Sequence, residues 1–155
     1  MPTQQDQTER RKELEAFITQ CKRGLRHQVR GDPEPFVAVW SHADDVSILG
    51  AIGSYAQGWE DVRTHLRVAS KTLDWTDVSV QRLFTTLSGD LAVTVVLERM
   101  SNAQAARTLR VTHAYRREEE GWKLILRHAN QVTPDDEARE HAILSDGSTE
   151  AASAI

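Results

Sequence analysis

Two histidines near the end of the chain have the spacing for proton-transfer chemistry. His113 and His128 lie in two segments where apolar residues alternate with polar ones, on either side of a turn at residues 118–121. Antiparallel pairing across that turn predicts both imidazoles on the apolar face of neighbouring strands. Because imidazole titrates near neutral pH, the pair could share general-acid and general-base duty in an enclosed pocket. The alternative is that each is a core histidine satisfied by a backbone carbonyl or by Tyr115.

Two more polar side chains continue the same alternation toward strand ends. Arg99 follows an apolar segment and Asn130 follows His128, so both are predicted to face the core. A buried polar group without a partner costs about 1–3 kcal/mol, so each needs a partner or a use. The guanidinium fork of Arg99 suits a carboxylate or enolate oxygen, although Arg99 could instead lie beyond the core and reach solvent. The same alternation puts Glu98 on the opposite face and predicts no inward carboxylate on the last three strands.

Aromatic residues could supply the walls of a pocket. Trp40 ends an apolar helix pattern, and Tyr55 and Trp59 belong to or follow a glycine-rich loop at residues 50–58. These rings could stack on a flat ligand, with the loop as a candidate lid; the glycines could also serve turn geometry alone. Tyr115, on the strand of His113, completes the predicted pocket lining.

No pattern in the sequence predicts a metal or a cofactor. His42, Asp44 and Asp45 are ligand types, but they are better explained as a solvated turn. The single cysteine, Cys21, excludes an internal disulfide and a cysteine-based zinc site.

Length and composition indicate one globular domain. The chain has 155 residues, of which 39% are hydrophobic and 27% charged, with a net charge of -4. That charge argues against nucleic acid as a partner, because phosphate binding needs clustered basic residues. No stretch approaches the roughly 20 apolar residues that span a bilayer, and the N-terminus has no signal-peptide core. We therefore expect a cytoplasmic protein with no membrane partner.

The spacing of apolar residues changes from a helical period to an alternating one after Leu73. Helices first and strands second, without βαβ alternation, predict an α+β fold. The predicted elements are a long helix from an N-cap at Thr8 to Gly31, a helix after Asp32-Pro33, a short strand over 46–49, a helix from about Trp59, a strand over 78–84 and a meander over 91–97, 109–115 and 122–130.

This order, with three stretches of sequence, resembles the NTF2-like superfamily, specifically its SnoaL-like or DUF4440 branch, which is related to ketosteroid isomerases. The stretches are GDPEPFVAVWSHADDVSILG (31–50), GWEDVRTHL (58–66) and LRVTHAYRREEEGWKLILRHANQVTP (109–134). The resemblance covers about residues 10–132 and is most specific in the last stretch.

The resemblance implies a cystatin-like cone, in which three N-terminal helices pack on a curved antiparallel sheet with an open mouth. The domain would span residues 8–132, with 1–7 and 134–155 as flexible or short-helical tails. Members commonly dimerise through the outer sheet face, and a charge at the outward-facing Thr112 should break such a dimer. They include isomerases, cyclases, dehydratases, epoxide hydrolases and non-catalytic association domains.

Differences between this sequence and the steroid isomerases of the superfamily restrict the expected chemistry. Leu49-Gly50 lies where steroid isomerases of the superfamily carry a catalytic aspartate, residues 8–30 contain no tyrosine, and His113 lies on the strand of their oxyanion aspartate. Steroid isomerisation is therefore not expected. The sequence favours a dimeric pocket protein for a small organic ligand. The alternatives are a cofactor-independent lyase or isomerase that uses His128 and His113, with Arg99 or Asn130 steadying an oxyanion, and an association domain without chemistry.

Overall fold

Helices precede a sheet in the computed structural model of the chain, which describes residues 1–145. The last predicted tail therefore lies only partly within the described residues. The elements are α1 (Gln4–Gln28), α2 (Glu34–Val37), β1 (Ser47–Leu49), β2 (Tyr55–Gln57), α3 (Trp59–Ser70), β3 (Asp77–Ser88), β4 (Leu91–Ser101), β5 (Ala106–Glu118), β6 (Gly121–Val132) and α4 (Pro134–Ser145). None of the described helices has the length and hydrophobicity that a bilayer crossing requires.

The six strands form one sheet in the order β2-β1-β6-β5-β4-β3. Hairpins join β3 through β6, whereas β1 pairs with β6 in parallel after the chain has crossed over. The sheet curves around the first three helices, and the core fills the space between them. The predicted α+β cone is thus confirmed. The core includes Leu14, Ile18, Leu25, Phe36, Val62, Leu66, Val111 and Leu124.

Helix α1 begins at Gln4, ahead of the predicted start after Thr8. Thr3 is its N-cap: its hydroxyl accepts a hydrogen bond from the Asp6 amide at 3.0 Å, and the Asp6 carboxylate accepts one from the Thr3 amide at 2.9 Å. This reciprocal capping box satisfies two amide groups that the first turn would otherwise leave unpaired. The polar residues ahead of Thr8 therefore extend the helix.

Helices α1 and α2 cross closely at Gly24. A Cβ built at Gly24 would lie 2.9 Å from the carbonyl oxygen of Pro35 and 3.0 Å from the Cα of Phe36. Both neighbouring atoms are backbone, so the contact could be relieved only by moving one helix. The absence of a side chain at residue 24 thus sets the distance between the two helices.

Gly24→Ala is expected to destabilise the protein by about 1–3 kcal/mol, because the added methyl group overpacks this crossing. At an exposed helix position the same change would stabilise by about 1 kcal/mol through helix propensity. Urea unfolding of the variant measures the difference. Thr19→Ala, at an exposed position of α1, is the control and should keep or raise stability. A more stable Gly24→Ala protein would contradict the close crossing.

A β-bulge reverses the faces of β6. Ala114 pairs with Leu126 and Tyr115 pairs with Leu124, so Ile125 is an extra residue in the ladder. Trp122 and Leu124 point inward before the bulge, and Arg127 and Ala129 are the buried residues after it. The prediction that His128 and Asn130 face the core is therefore wrong. Both are exposed on the outer face.

Strand β4 also faces the opposite way from the prediction. Its inward residues are Ala92, Thr94, Val96, Glu98 and Met100, all of which are buried. Arg99 lies on the outer face, where it donates a hydrogen bond to Gln81 Oε1 at 2.9 Å. The alternation itself was correct, but both faces of β4 carry apolar residues, so the sequence did not reveal which face is inside. The expected absence of an inward carboxylate is wrong for Glu98.

Candidate ligand-binding cavity

A cavity of about 590 Å³ opens between the C-terminal half of α1, helix α3, the β1–β2 loop and the inner face of the sheet. Most of its lining is apolar. Side chains that contribute to it include Phe36, Ile48, Leu66, Trp75, Met100 and Leu109. A concave, mainly apolar space with few polar groups is typical of small-molecule sites.

A buried charged network adjoins the sheet side of the cavity. Arg127 on β6 donates two hydrogen bonds of 2.7 Å to Glu98 on β4, one from each terminal nitrogen. Its Nη1 lies 3.1 Å from His113 Nε2 on the intervening strand β5. Glu98 is completely buried, while Arg127 lines the cavity with 11% of its side chain accessible. The guanidinium is thus held on two sides by the protein.

The contact with Arg127 determines the proton position on His113. A guanidinium can only donate, so the Nε2 atom of His113 must accept and its proton must be on Nδ1. Burial and the positive charge of Arg127 lower the pKa of His113 to about 3, despite the opposing effect of Glu98. Burial alone would raise the pKa of Glu98, but Arg127 outweighs it and holds that pKa below its usual value. At neutral pH the network is an ion pair beside a neutral imidazole.

Below neutral pH, the free energy of unfolding should depend on the protonation of His113. The unfolded chain takes up this proton near the ordinary pKa of 6.5, whereas the folded protein does so only near 3. The contribution of His113 is therefore fully present above pH 6.5 and lost as pH falls, with a slope of up to about 1.4 kcal/mol per pH unit. Urea unfolding between pH 7.5 and pH 5 measures this slope.

His113→Gln should flatten the profile, because a glutamine oxygen can still accept from Arg127 but does not titrate. His128→Gln is the control, since His128 is exposed on the outer face. Equal slopes in the wild type and the His113→Gln variant would refute the assignment of a buried neutral imidazole.

Helix α3 supplies polar groups on the other side of the cavity. Asp61 and His65 are one helical turn apart and both line it. Partial burial lowers the pKa of His65, which favours the neutral ring at pH 7. Gln28 ties α1 to α3 by donating from Nε2 to the carbonyl of Leu66 at 2.8 Å. These groups are available to orient a ligand without adding net positive charge.

Of the predicted pocket aromatics, Tyr55 lines this cavity. It is 63% exposed and its hydroxyl donates to Gln57. Trp40 is fully buried against Phe36 in an edge-to-face contact, outside the cavity. Trp59 instead stacks on His42, with ring centroids 4.2 Å apart.

The remaining predicted residues are dispersed. Tyr115 is buried near the first half of α1 and shares a 3.0 Å hydrogen bond with Thr94. His113 lies within the charged network on the inner face of the sheet, whereas the bulge places His128 on the outer face. Arg99 and Asn130 lie on the outer face with His128. The structure therefore does not bring together the proposed pair of histidines with Arg99 or Asn130.

Four polar residues that adjoin the cavity were not predicted from the sequence: Glu98, Arg127, His65 and Gln28. Charged residues inside apolar strand segments were the available signal for Glu98 and Arg127, but their faces were assigned incorrectly. Among residues 1–145, no cluster of three or more histidine, cysteine or acidic side chains is arranged to hold a metal. The turn with His42, Asp44 and Asp45 has side chains of metal-ligand type. Its Asp45 carboxylate forms an ion pair with the Arg116 guanidinium at 2.7 Å.

Helices that close one side of a curved sheet around an apolar cavity define a cone-shaped α+β pocket domain. The particular family is established by sequence: the chain belongs to the SnoaL-like family, whose domain profile matches residues 16–133. This confirms the resemblance to the NTF2-like superfamily. No curated protein matches the sequence significantly.

Solved structures share this fold. A candidate calcium/calmodulin-dependent protein kinase type II association domain from Thiobacillus denitrificans is 21% identical, with a TM-score of 0.66 over 77% of this chain and 94% of that one. A candidate dehydratase of the NTF2-like family from Streptomyces avermitilis is 17% identical, with a TM-score of 0.65 over 81% and 97%. A candidate ketosteroid isomerase from Parabacteroides distasonis is 21% identical, with a TM-score of 0.63 over 77% and 87%. These similarities concern the fold.

Proposed function

We propose that this protein binds a small, largely apolar organic molecule in the cavity and acts as a cytoplasmic homodimer paired through the outer sheet face. The observation that carries the binding proposal is the cavity itself: about 590 Å³ of mainly apolar space adjoining a fixed charged network. A concave, mainly apolar space of this size with a few fixed polar groups is typical of sites that bind small organic molecules.

A substitution that fills the cavity tests the proposal. Ala69 is on the α3 wall, and a tryptophan at this position would occupy the space of the ligand. Ala69→Trp should abolish binding of a panel of bicyclic aromatic fragments, measured by ligand-observed NMR and by native mass spectrometry of the purified protein. Ala103→Trp makes the same change at an exposed position and should bind as the wild type does. Equal binding by the two variants, or no binding by the wild type, would overturn the proposal.

The geometry favours binding over the paired-histidine chemistry considered as the alternative. His113 Nε2 already contacts Arg127, and His128 is on the other face of the sheet. A general acid or base must reach the substrate proton, and these two rings cannot both face one ligand. We therefore do not extend the proposal to lyase or isomerase chemistry by this pair.

A further inference from the structure

We infer that Gln28 is a specificity-determining residue of the cavity: its side-chain oxygen Oε1 accepts a hydrogen bond from a hydroxyl or N–H group of the bound molecule. The inference rests on the proposed binding function and deepens it, because it names the chemical group that the apolar ligand must carry. A phenol, an alcohol or a secondary amide has the required donor. A molecule that offers only hydrogen-bond acceptors does not.

The orientation of the Gln28 amide carries the first step. Its Nε2 donates to the backbone carbonyl oxygen of Leu66 on α3 at 2.8 Å. A carbonyl oxygen can only accept, so the nitrogen of the amide faces α3. The oxygen therefore points away from this bond and needs a donor of its own. Because the bond to α3 fixes the side chain before a ligand arrives, it reduces the entropic cost of binding.

The burial of Oε1 carries the second step. Gln28 is only 4% exposed, and its Oε1 is a buried atom without a hydrogen-bond partner among the described residues. Buried polar groups are nearly always paired, and an unpaired acceptor is costly. Gln28 lines the cavity, so the cavity is the space from which a donor can reach it. The indole nitrogens of Trp40 and Trp122 are also buried and unpaired, but neither residue lines this cavity.

The charges around the cavity favour an uncharged donor over an ammonium group. The charge of Arg127 is compensated by Glu98. The other charged residues that line the cavity, Arg107 and Asp61, have opposite signs. No net negative charge is left to stabilise a buried cation in this largely apolar space, whereas a hydroxyl or amide N–H can donate to Gln28 without that cost.

Matched probes test the inference. 2-Naphthol carries a hydroxyl donor, and 2-methoxynaphthalene keeps the ring system and the oxygen but lacks the donor. Both are titrated into the wild type, Gln28→Met and Gln20→Met, which makes the same change at an exposed position of α1. The ratio of the two dissociation constants should favour 2-naphthol about fivefold more in the wild type and in Gln20→Met than in Gln28→Met, the value of one neutral hydrogen bond.

A second measurement uses the unmodified protein, so it does not depend on folding of the variant. The side-chain carbonyl carbon of Gln28 should move downfield in the ¹³C spectrum when 2-naphthol binds, because accepting a hydrogen bond polarises the C=O group. 2-Methoxynaphthalene has the same aromatic rings and should not produce this shift.

Each contrary outcome has a distinct meaning. An equal ratio of dissociation constants in the wild type and Gln28→Met would overturn the inference while leaving the cavity a binding site. The same would follow if saturating 2-naphthol and 2-methoxynaphthalene moved the Gln28 carbon equally. If neither probe bound the wild type and the fragment panel also failed, the proposed function would fall together with the inference.

Discussion

Arg127→Met is expected to destabilise the protein by about 3–5 kcal/mol at pH 7, because it leaves one charge of a buried ion pair without its partner. Glu98 is completely buried and receives both of its hydrogen bonds of 2.7 Å from Arg127. Without Arg127, burial is the largest influence left on Glu98 and raises the pKa of its carboxyl group, against a smaller lowering by His113. Urea unfolding followed by circular dichroism measures the loss.

The pH dependence separates this explanation from a simple packing defect. In the wild type the pKa of Glu98 is lowered, so the pair stabilises the fold above the ordinary pKa of glutamate and loses that effect as pH falls. In Arg127→Met the pKa is raised instead, so protonation on going from pH 7 to pH 5 should recover part of the lost stability. If the difference in unfolding free energy between Arg127→Met and the wild type stayed constant over this range, a packing defect would explain it.

Two further variants serve as controls. Glu98→Leu/Arg127→Met should recover much of the stability at pH 7, since apolar residues of similar volume can replace a buried pair. Arg67→Met breaks a pair with Glu34 in which both side chains are exposed, and it should have little effect. A double variant as unstable as the single one would refute the account of an uncompensated charge.

Val95→Glu is expected to convert the proposed dimer into a monomer. Its position is on the outer face of the sheet, between Phe84 on β3 and Thr112 on β5. Phe84 is 52% exposed and Leu91 is 53% exposed, so this face presents apolar surface that a second copy would cover. In a two-fold dimer the substitution introduces two carboxylates into one interface, which should weaken association by on the order of a hundredfold or more.

Light scattering coupled to gel filtration measures the outcome over a range of concentrations. Thr112→Glu makes the equivalent change on the facing position of β5 and should have the same effect. Thr19→Glu adds the same charge on an exposed part of α1 and should leave the mass unchanged. A monomeric wild type, or an unchanged dimer in both outer-face variants, would remove the outer sheet face as the interface.

The periodicity of the sequence was sufficient to predict the fold class and the order of the helices and long strands, although the short strand β2 lies within the predicted loop at residues 50–58. Apolar residues at helical spacing before Leu73 and alternating residues after it correspond to α1, α2 and α3 followed by the long strands. These signals are local, because a helix or strand buries a face that its own residues define. The three stretches with family resemblance then indicated how the elements pack into a cone.

Neighbouring residues alone did not determine which face of β4 and β6 points to the core. Alternation separates the residues of β4 into two sets, but Val95 and Val96 are equally apolar, so the sequence does not distinguish the outer face from the core face. In β6 the extra residue Ile125 reverses the faces without any departure from strand-like composition. His128 and Arg127 therefore exchanged faces relative to the prediction.

By itself, the sequence determined an α+β fold, because helix and strand periods are properties of neighbouring residues, and the resemblance of three stretches to the SnoaL-like family implied the cone. Only the tertiary structure decided which polar groups meet at the cavity. Glu98 and Arg127 are separated by 28 intervening residues and come together across β5 because β4, β5 and β6 pair in one particular register. A one-residue change of register would separate them, since successive side chains point to opposite faces of a sheet.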